Sequence, residues 1–367
     1  MSDDFPSAVA ALGGPLLDVM VLMEQTARWL DPPRVPRLRE LLAPRGEKLS
    51  ESIAEFRSVE APSGLEGLQA QLLEAAEHAE QSIGLFADPG AADQTLPRVL
   101  ESMRQSSLAQ EALYPLHTAL PPVARFFSEE PLHERLAELD PDPPSEHRTG
   151  IHRAAGPGGP DGRGGFFLYV PESYDPSEQR PLIVALHGGS GHGRSFLWSW
   201  LREARSRRCL LVAPTSLGAT WSFQGTDLDA PIVHAIVDHV RETWSIDPAR
   251  ILLTGLSDGA TYTLFLGLRD DSPFSALAPL SGVLHPSLLR AGGLERARGR
   301  RIYLVHGARD WMFPVGIAQL ARDTLQAAGA ALVYREIEDL SHTYAREENA
   351  RILEWLDPGL ALALAAD

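Results

Sequence analysis

The chain has 367 residues, too long for a single small binding module and ample for a large core. Its 33 Lys and Arg against 49 Asp and Glu leave a formal charge of −16, and a surface that acidic repels a phosphate backbone, so no nucleic-acid partner is expected. With 44% hydrophobic and 22% charged residues the composition is that of a globular protein, which excludes a disordered or fibrous chain.

The first residues, Met1-Ser-Asp-Asp-Phe-Pro, are acidic where a secretory signal is basic, and the apolar stretch from Ala8 to Met23 is interrupted by Gly13, Gly14, Pro15 and Asp18. The expectation is therefore a cytoplasmic protein with no signal peptide and no membrane span. From Met1 to His147 the chain carries 11 basic and 25 acidic side chains, net −14, which leaves −2 for the remainder and predicts two units. In the first, Val35-Pro-Arg-Leu-Arg-Glu-Leu-Leu and Leu65-Glu-Gly-Leu-Gln-Ala-Gln-Leu-Leu-Glu-Ala-Ala-Glu space apolar residues three and four apart, as amphipathic helices do. Ser63 with Glu66 reads as a capping box, and Asp88-Pro-Gly and Leu120-Pro-Pro punctuate later runs. Residues 1–139 are thus expected to form an acidic all-α domain of four or five helices, with the roles of lid, homo-oligomer interface, partner-docking surface and solvated appendage all open. Residues 140–147, Asp-Pro-Asp-Pro-Pro-Ser-Glu-His, read as a Pro-rich linker, because each proline disfavours helix in the residue before it.

From residue 148 to 367 the pattern changes. Gly165-Phe-Phe-Leu-Tyr-Val, Pro181-Leu-Ile-Val-Ala-Leu, Cys209-Leu-Leu-Val-Ala, Ile251-Leu-Leu-Thr, Arg301-Ile-Tyr-Leu-Val and Ala331-Leu-Val-Tyr-Arg-Glu-Ile read as strands, several apolar throughout as strands covered on both faces are. Helical patterns around 230–244, 260–268 and 315–328 alternate with them, so this half is an α/β domain with a mainly parallel sheet. Cys209, the one cysteine, has no partner for an internal disulfide and reads as a small buried hydrophobe.

The strand Ile251-Leu-Leu-Thr runs into Gly255-Leu256-Ser257-Asp258-Gly259, and a helical stretch follows at once. Gly-x-Ser-x-Gly in that context is a sharp turn that lifts a serine hydroxyl to a helix N-terminus, with small flanking residues because the turn leaves no room for others. A serine hydroxyl needs a base, and the base an orienting carboxylate. The next strand ends supply both: Asp310 closes His306-Gly-Ala-Arg-Asp, and His342 closes Glu338-Asp-Leu-Ser-His. Ser257, Asp310 and His342 are the predicted catalytic residues. The charge that develops on an attacked carbonyl oxygen needs donors. The amides of Asp258 and of Gly189, in the loop His187-Gly188-Gly189-Ser190-Gly191, are the predicted oxyanion hole, with Ser190 a rival for Gly189 and His187 expected to shape the loop. The run Gly188 to Ser195 is also one residue from a phosphate-binding loop, with Arg194 where that loop has lysine, which leaves nucleotide binding as an alternative. Trp221, Phe223, Trp311 and Phe313 are the predicted substrate contacts, and Asp227 and Asp229 read as caps or dipole partners of a helix. No ligand spacing suggests a metal.

Leu186-His-Gly-Gly, Thr254-Gly-Leu-Ser-Asp-Gly-Ala-Thr-Tyr, His306-Gly-Ala-Arg-Asp-Trp-Met-Phe-Pro-Val and Leu340-Ser-His-Thr-Tyr together resemble the serine α/β-hydrolases of the phospholipase/carboxylesterase type, close to feruloyl-esterase and polyhydroxybutyrate-depolymerase-like esterases. The resemblance spans about 150–358 and implies an α/β-hydrolase fold, a Ser-His-Asp triad, an acyl-serine intermediate, a small-molecule ester substrate and neither metal nor organic cofactor. It does not reach the helical half. Thioesters and polyester oligomers remain alternative substrates of the same triad, and a non-catalytic scaffold with a partner-binding helical domain remains the alternative from another class.

Overall fold

A computed structural model describes residues 4–88, 95–141, 147–156, 159, 162–223, 225–290 and 292–362. The chain divides into two units, Met1–Phe127 and Ser128–Asp367. In the first, α1 (Asp4–Arg28), α2 (Val35–Arg57), α3 (Glu66–Ala87), α4 (Thr95–Leu113) and the short α5 (Pro121–Phe126) bury the faces that the apolar spacing marks. Leu42, Leu49, Ile53 and Phe56 of α2 and Leu72, Ala75, Ala76, Ala79, Ile83 and Phe86 of α3 are buried, and the Ile83 side chain packs so closely on Gly46 that a Cβ there would lie 2.7 Å from Ile83 Cγ2.

Two local expectations fail here. The helix α1 runs unbroken through Gly13, Gly14 and Pro15. The hydrogen bond that proline removes is offset by burial of Leu12, Leu16, Val19, Met20 and Met23 along one face. By length and mean hydropathy, 1.6 over Phe5–Arg28, this helix is long and apolar enough to cross a membrane, contrary to the reading of an interrupted stretch, and 33% of its apolar window is buried within the protein. Nor do Ser63 and Glu66 form a capping box: the N-cap of α3 is Leu65, with no side-chain cap, and the Glu66 carboxylate instead accepts from the Gly64 amide at 2.8 Å.

The second unit is built on an eight-stranded sheet in the order β1-β2-β4-β3-β5-β6-β7-β8. The strands are β1 (Gly150–Ala154), β2 (Phe166–Val170), β3 (Arg180–Leu186), β4 (Leu210–Pro214), β5 (Ile246–Leu256), β6 (Ala276–Leu280), β7 (Arg301–Gly307) and β8 (Ala331–Ile337). Only the β1–β2 and β2–β4 pairs are antiparallel, and from β4 onward every pair is parallel. This is the α/β-hydrolase fold that the motifs imply. The helices are α6 (Gly193–Phe196), α7 (Leu201–Ser206), α8 (Asp229–Thr243), α9 (Asp258–Gly267), α10 (Pro286–Arg290), α11 (Val315–Ala327) and α12 (Glu348–Leu356). Apolar residues of β3, β4, β5 and β6 are buried as parallel central strands require. Two strands escape the sequence patterns: β1, a half-exposed edge with the sequence Gly-Ile-His-Arg-Ala, and β6, whose Pro279 reads against a central strand.

Residues 128–139, assigned by sequence to the helical domain, and Asp140, assigned to the linker, belong to the second unit. Arginines of α7 and of the turn after it hold them there. Arg205, 1% exposed, is 2.6 Å from Asp140, Arg207 pairs with Glu129, Arg208 lies 3.5 Å from Glu138, and Ser206 Oγ accepts from the Glu129 amide at 2.9 Å. Of the expected linker, residues 142–146 lie outside the described residues. Removing one partner of a buried pair strands the other charge. Asp140→Ala removes the 2.6 Å partner of the buried Arg205 and is expected to cost about 2–3 kcal/mol and to lower the melting temperature by several degrees, as calorimetry would record.

Candidate active site

The strand β5 ends at Leu256, α9 begins at Asp258, and Ser257 alone makes the turn. Its backbone stands at φ 56° and ψ −116°, a conformation that a residue with a Cβ adopts at a cost of about 1–3 kcal/mol. Sterics explain the flanking glycines. A Cβ at Gly255 would lie 2.5 Å from the Gly259 carbonyl carbon, and one at Gly259 would lie 2.3 Å from the Leu186 carbonyl oxygen. The strained turn is pinned by the Ser257 amide, which donates to the Leu280 carbonyl at 3.0 Å, and by the Thr261 amide, which donates to the Ser257 carbonyl at 2.9 Å.

Two further loops bring an acid and a base to this hydroxyl. Gly307, at the end of β7, packs so tightly on the loop after β8 that a Cβ there would meet the Leu340 carbonyl at 2.3 Å. Amides of Ala308 and Arg309 donate across the same seam to Ile337 and Leu340. Asp310 and His342 extend from the two knitted loops. His342 Nε2 lies 2.9 Å from Ser257 Oγ, and its Nδ1 lies 2.8 Å from Asp310 Oδ2. The other Asp310 oxygen accepts from the amides of Met312 (2.9 Å) and Phe313 (2.7 Å). Burial opposes the charge on Asp310, but the His342 hydrogen bond and the Phe313 amide outweigh it and hold the carboxyl below its usual range. His306, buried on β7, bonds the Phe313 carbonyl through Nε2 at 2.8 Å and so steadies the segment whose amides bind Asp310.

The glycine loop after β3 lies against the same turn: a Cβ at Gly188 would be 3.6 Å from Ser257 Cβ, and one at Gly189 would be 2.7 Å from Asp258 Oδ2. Most of its amides are already used. Ser190 donates to the Ala219 carbonyl, Gly191 to Gly188, Gly193 to Thr215 Oγ1, Arg194 to His192 Nδ1 and Ser195 to the His192 carbonyl. A phosphate cradle needs those donors, so the phosphate-loop reading of residues 188–195 fails, and Ser190 drops out as the rival oxyanion donor. Among the described residues, the amides of Gly189 and Asp258 have no protein acceptor.

His187 sits at the base of the loop. Its Nδ1 donates to the Gly188 carbonyl at 2.7 Å and its Nε2 accepts from the Ser216 amide at 3.1 Å, which requires the neutral ring. Burial pushes its pKa down to about 4. Of the four predicted substrate contacts, Phe313 and Trp311 stand beside His342, with ring centroids 5.2 and 6.5 Å away, and Trp311 is 51% exposed. Phe223 packs on the core next to His285. Trp221 cannot be a pocket wall: it is 2% exposed, its indole N–H donates to the His187 carbonyl at 2.8 Å, and its ring stacks on Tyr262. Sequence reasoning also undervalued Asp229. This buried carboxylate caps nothing and instead accepts from three donors in residues 217–222, a role that no local pattern signals.

Because folding depresses the His187 pKa from the usual 6.5 to about 4, the unfolded chain binds a proton that the folded one does not between those values. Stability contributed by the neutral ring is complete above pH 6.5 and declines as the pH falls toward 4, by about 1.4 kcal/mol per pH unit at most. Urea unfolding at pH 7, 6, 5 and 4.5 checks it: His187→Gln is expected to be less stable at pH 7 but to show a flatter pH dependence than the wild type.

The sequence pattern of the Phospholipase/Carboxylesterase family matches residues 221–358, which include Ser257, Asp310 and His342. The chain is 31% identical over 173 residues to a probable feruloyl esterase C of Aspergillus terreus, covering 45% of this chain and 62% of that protein. It is 30% identical over 148 residues to a bifunctional acetylxylan esterase/xylanase of Neocallimastix patriciarum, covering 39% and 21% of the two chains. With poly(3-hydroxyalkanoate) depolymerase C of Paucimonas lemoignei the identity is 28% over 128 residues, covering 32% and 30%. The chain thus spans less than two thirds of the length of each of these relatives. Among solved structures, a thermostable esterase aligns at 21% identity with a TM-score of 0.47, over 56% of this chain and 61% of that one. Within its second unit, the chain resembles the phospholipase/carboxylesterase group of α/β-hydrolases.

Proposed function

We propose that the second unit hydrolyses carboxylic esters through an acyl-serine intermediate. The observation that carries this reading is the continuous hydrogen-bonded line from Ser257 Oγ through both nitrogens of His342 to Asp310, at 2.9 and 2.8 Å. His342 takes the hydroxyl proton as Oγ attacks the ester carbonyl, and Asp310 holds the imidazole in the tautomer that leaves Nε2 free to do so. The amides of Gly189 and Asp258 receive the oxyanion. His342 then protonates the departing alcohol, and a water activated by the same nitrogen releases the acid. The half-exposed Trp311 and Phe313 give the acyl or alcohol group an apolar surface beside His342. The relatives are named for feruloyl, acetylxylan and poly(3-hydroxyalkanoate) esters, all oxygen esters, which favours these over thioesters.

The full chain is expected to turn over p-nitrophenyl acetate and butyrate, and Ser257→Ala to lose at least ~10⁴-fold in kcat. Asp310→Asn is expected to fall about 10³–10⁴-fold through the wrong imidazole tautomer. Equal turnover by wild type and Ser257→Ala would sink the proposal. Trp311→Ala is expected to raise KM for aryl esters about fivefold with kcat kept, as loss of roughly 1 kcal/mol of aromatic contact implies; an unchanged KM would remove Trp311 from the substrate surface.

A further inference from the structure

The Gly189 and Asp258 amides belong to different elements, one in the loop after β3 and one at the start of α9, and a single arc of chain touches both elements. The segment 215–222 touches the glycine loop repeatedly. The Ser216 amide donates to His187 Nε2 at 3.1 Å, the Ser190 amide donates to the Ala219 carbonyl at 2.7 Å, and Trp221 Nε1 donates to the His187 carbonyl at 2.8 Å. It also touches the turn itself, where Thr220 Oγ1 donates to Asp258 Oδ2 at 2.6 Å. The Asp258 carboxylate follows the nucleophile directly, and its oxygen lies 2.7 Å from where a Gly189 Cβ would be. A mobile negative charge at that place competes with an oxyanion for the Gly189 amide, and the threonine hydroxyl fixes its direction.

What fixes the arc is one carboxylate. Asp229, at the start of α8, is 1% exposed. Its Oδ1 accepts from the Leu217 amide at 2.8 Å, and its Oδ2 accepts from the Ser222 amide at 2.8 Å and from Ser222 Oγ at 2.7 Å. Residues 217 and 222 are the two ends of the stretch that carries Ala219, Thr220 and Trp221, so the carboxylate closes that stretch into a defined curve. Arg163 braces it just upstream, with Nε donating to the Ser216 carbonyl at 3.0 Å and a terminal nitrogen donating to Ser216 Oγ at 2.7 Å.

We infer that Asp229 and Thr220 are positioning residues for the oxyanion hole, setting the Gly189 and Asp258 amides relative to each other through the 215–222 arc. The inference rests on Ser257 being the nucleophile. Neither side chain touches the substrate. Their effect appears where charge develops, in kcat and in affinity for a tetrahedral anion, rather than in ground-state binding.

The test uses the full chain with Asp229→Asn, which keeps the side-chain shape but replaces one acceptor oxygen with a donor, and Thr220→Val, which keeps shape and removes only the hydroxyl. Steady-state hydrolysis of p-nitrophenyl butyrate is read together with competitive inhibition by phenylboronic acid, which binds a serine nucleophile as a tetrahedral anion, and with the melting temperature. The expected result in each variant is a kcat lowered about 10- to 100-fold, below the ~10²–10³ of an outright lost oxyanion donor. KM should stay within about twofold, and the inhibition constant of phenylboronic acid should rise in proportion to the fall in kcat. Should Asp229→Asn fail to fold, Thr220→Val decides alone by the same criteria. Wild-type kcat and boronate inhibition in the folded variants overturn the inference, and so does a lowered kcat with unchanged boronate inhibition. An inactive Ser257→Ala beside wild-type-like Asp229→Asn and Thr220→Val overturns this inference only, whereas a fully active Ser257→Ala overturns the ester-hydrolase reading with it.

Discussion

Ser257 is held at φ 56° between two positions where a Cβ has no room. The geometry of the rest of the second unit follows from that crowding. Gly259 lies under the Leu186 and His187 carbonyls, so the turn after β5 and the loop after β3 pack against each other with almost no gap. The same device recurs two strands away. Gly307 against Leu340 and Ser341 closes the seam from which Asp310 and His342 emerge. Parallel register sets the distances between these strand ends, and glycine sets how close their loops come. A side chain at any of these positions would displace backbone rather than a flexible tip, which few ångströms of tolerance in a hydrogen-bonded proton relay can absorb.

Crowding of that kind buries polar groups, and the carboxylates of Asp310 and Asp229 and the ring of His187 are matched by backbone donors and acceptors. Asp310 keeps its charge in a buried position by accepting from two backbone amides as well as from His342. Asp229, buried as well, accepts from two amides and a hydroxyl. His187 takes the opposite course. Burial holds its pKa down at about 4, and the neutral ring that results keeps the acceptor that the Ser216 amide needs. Two histidines in one site are thus held differently: His342 bonds Ser257 Oγ and Asp310 through its two ring nitrogens, while His187 is fixed in one tautomer by a backbone donor and a backbone acceptor.

The elements that sequence revealed are those whose pattern is local. Buried parallel strands read as unbroken apolar runs, and the Gly-x-Ser-x-Gly turn announces itself because five consecutive residues carry the whole steric requirement. Ser257, Asp310 and His342 were legible because chain order and strand ends place them. What stayed hidden depends on partners far along the chain. Edge strand β1 has too little apolar surface to form a pattern, and β6 contains a proline that local rules place at edges, although it lies in mid-sheet opposite Gly255. Trp221 looked like a pocket wall because loop aromatics often are, but whether an indole faces solvent or stacks on Tyr262 is decided by a residue 41 positions later. Asp229 resembled a helix-start carboxylate for the same reason: its donors lie upstream in the loop, where sequence assigns no geometry.

The unit boundary shows how a correct number can support a misplaced line. Cut at the proline-rich stretch, the chain splits into a strongly acidic half and a nearly neutral one. Cut between Phe127 and Ser128, where the structure divides, the first unit has 10 basic and 18 acidic side chains and the second has 23 and 31, a net −8 on each side. The asymmetry therefore came from residues 128–147, a short and highly acidic segment. Its Glu129, Glu138 and Asp140 are not surplus surface charge on a helical domain. They pair with Arg207, Arg208 and Arg205 of the second unit, of which Arg205 is 1% exposed and needs a carboxylate for its burial to be tolerable. A proline-rich sequence marks where a chain cannot be helical, which differs from where two packed units part; here a strap of ion pairs lies between the two places.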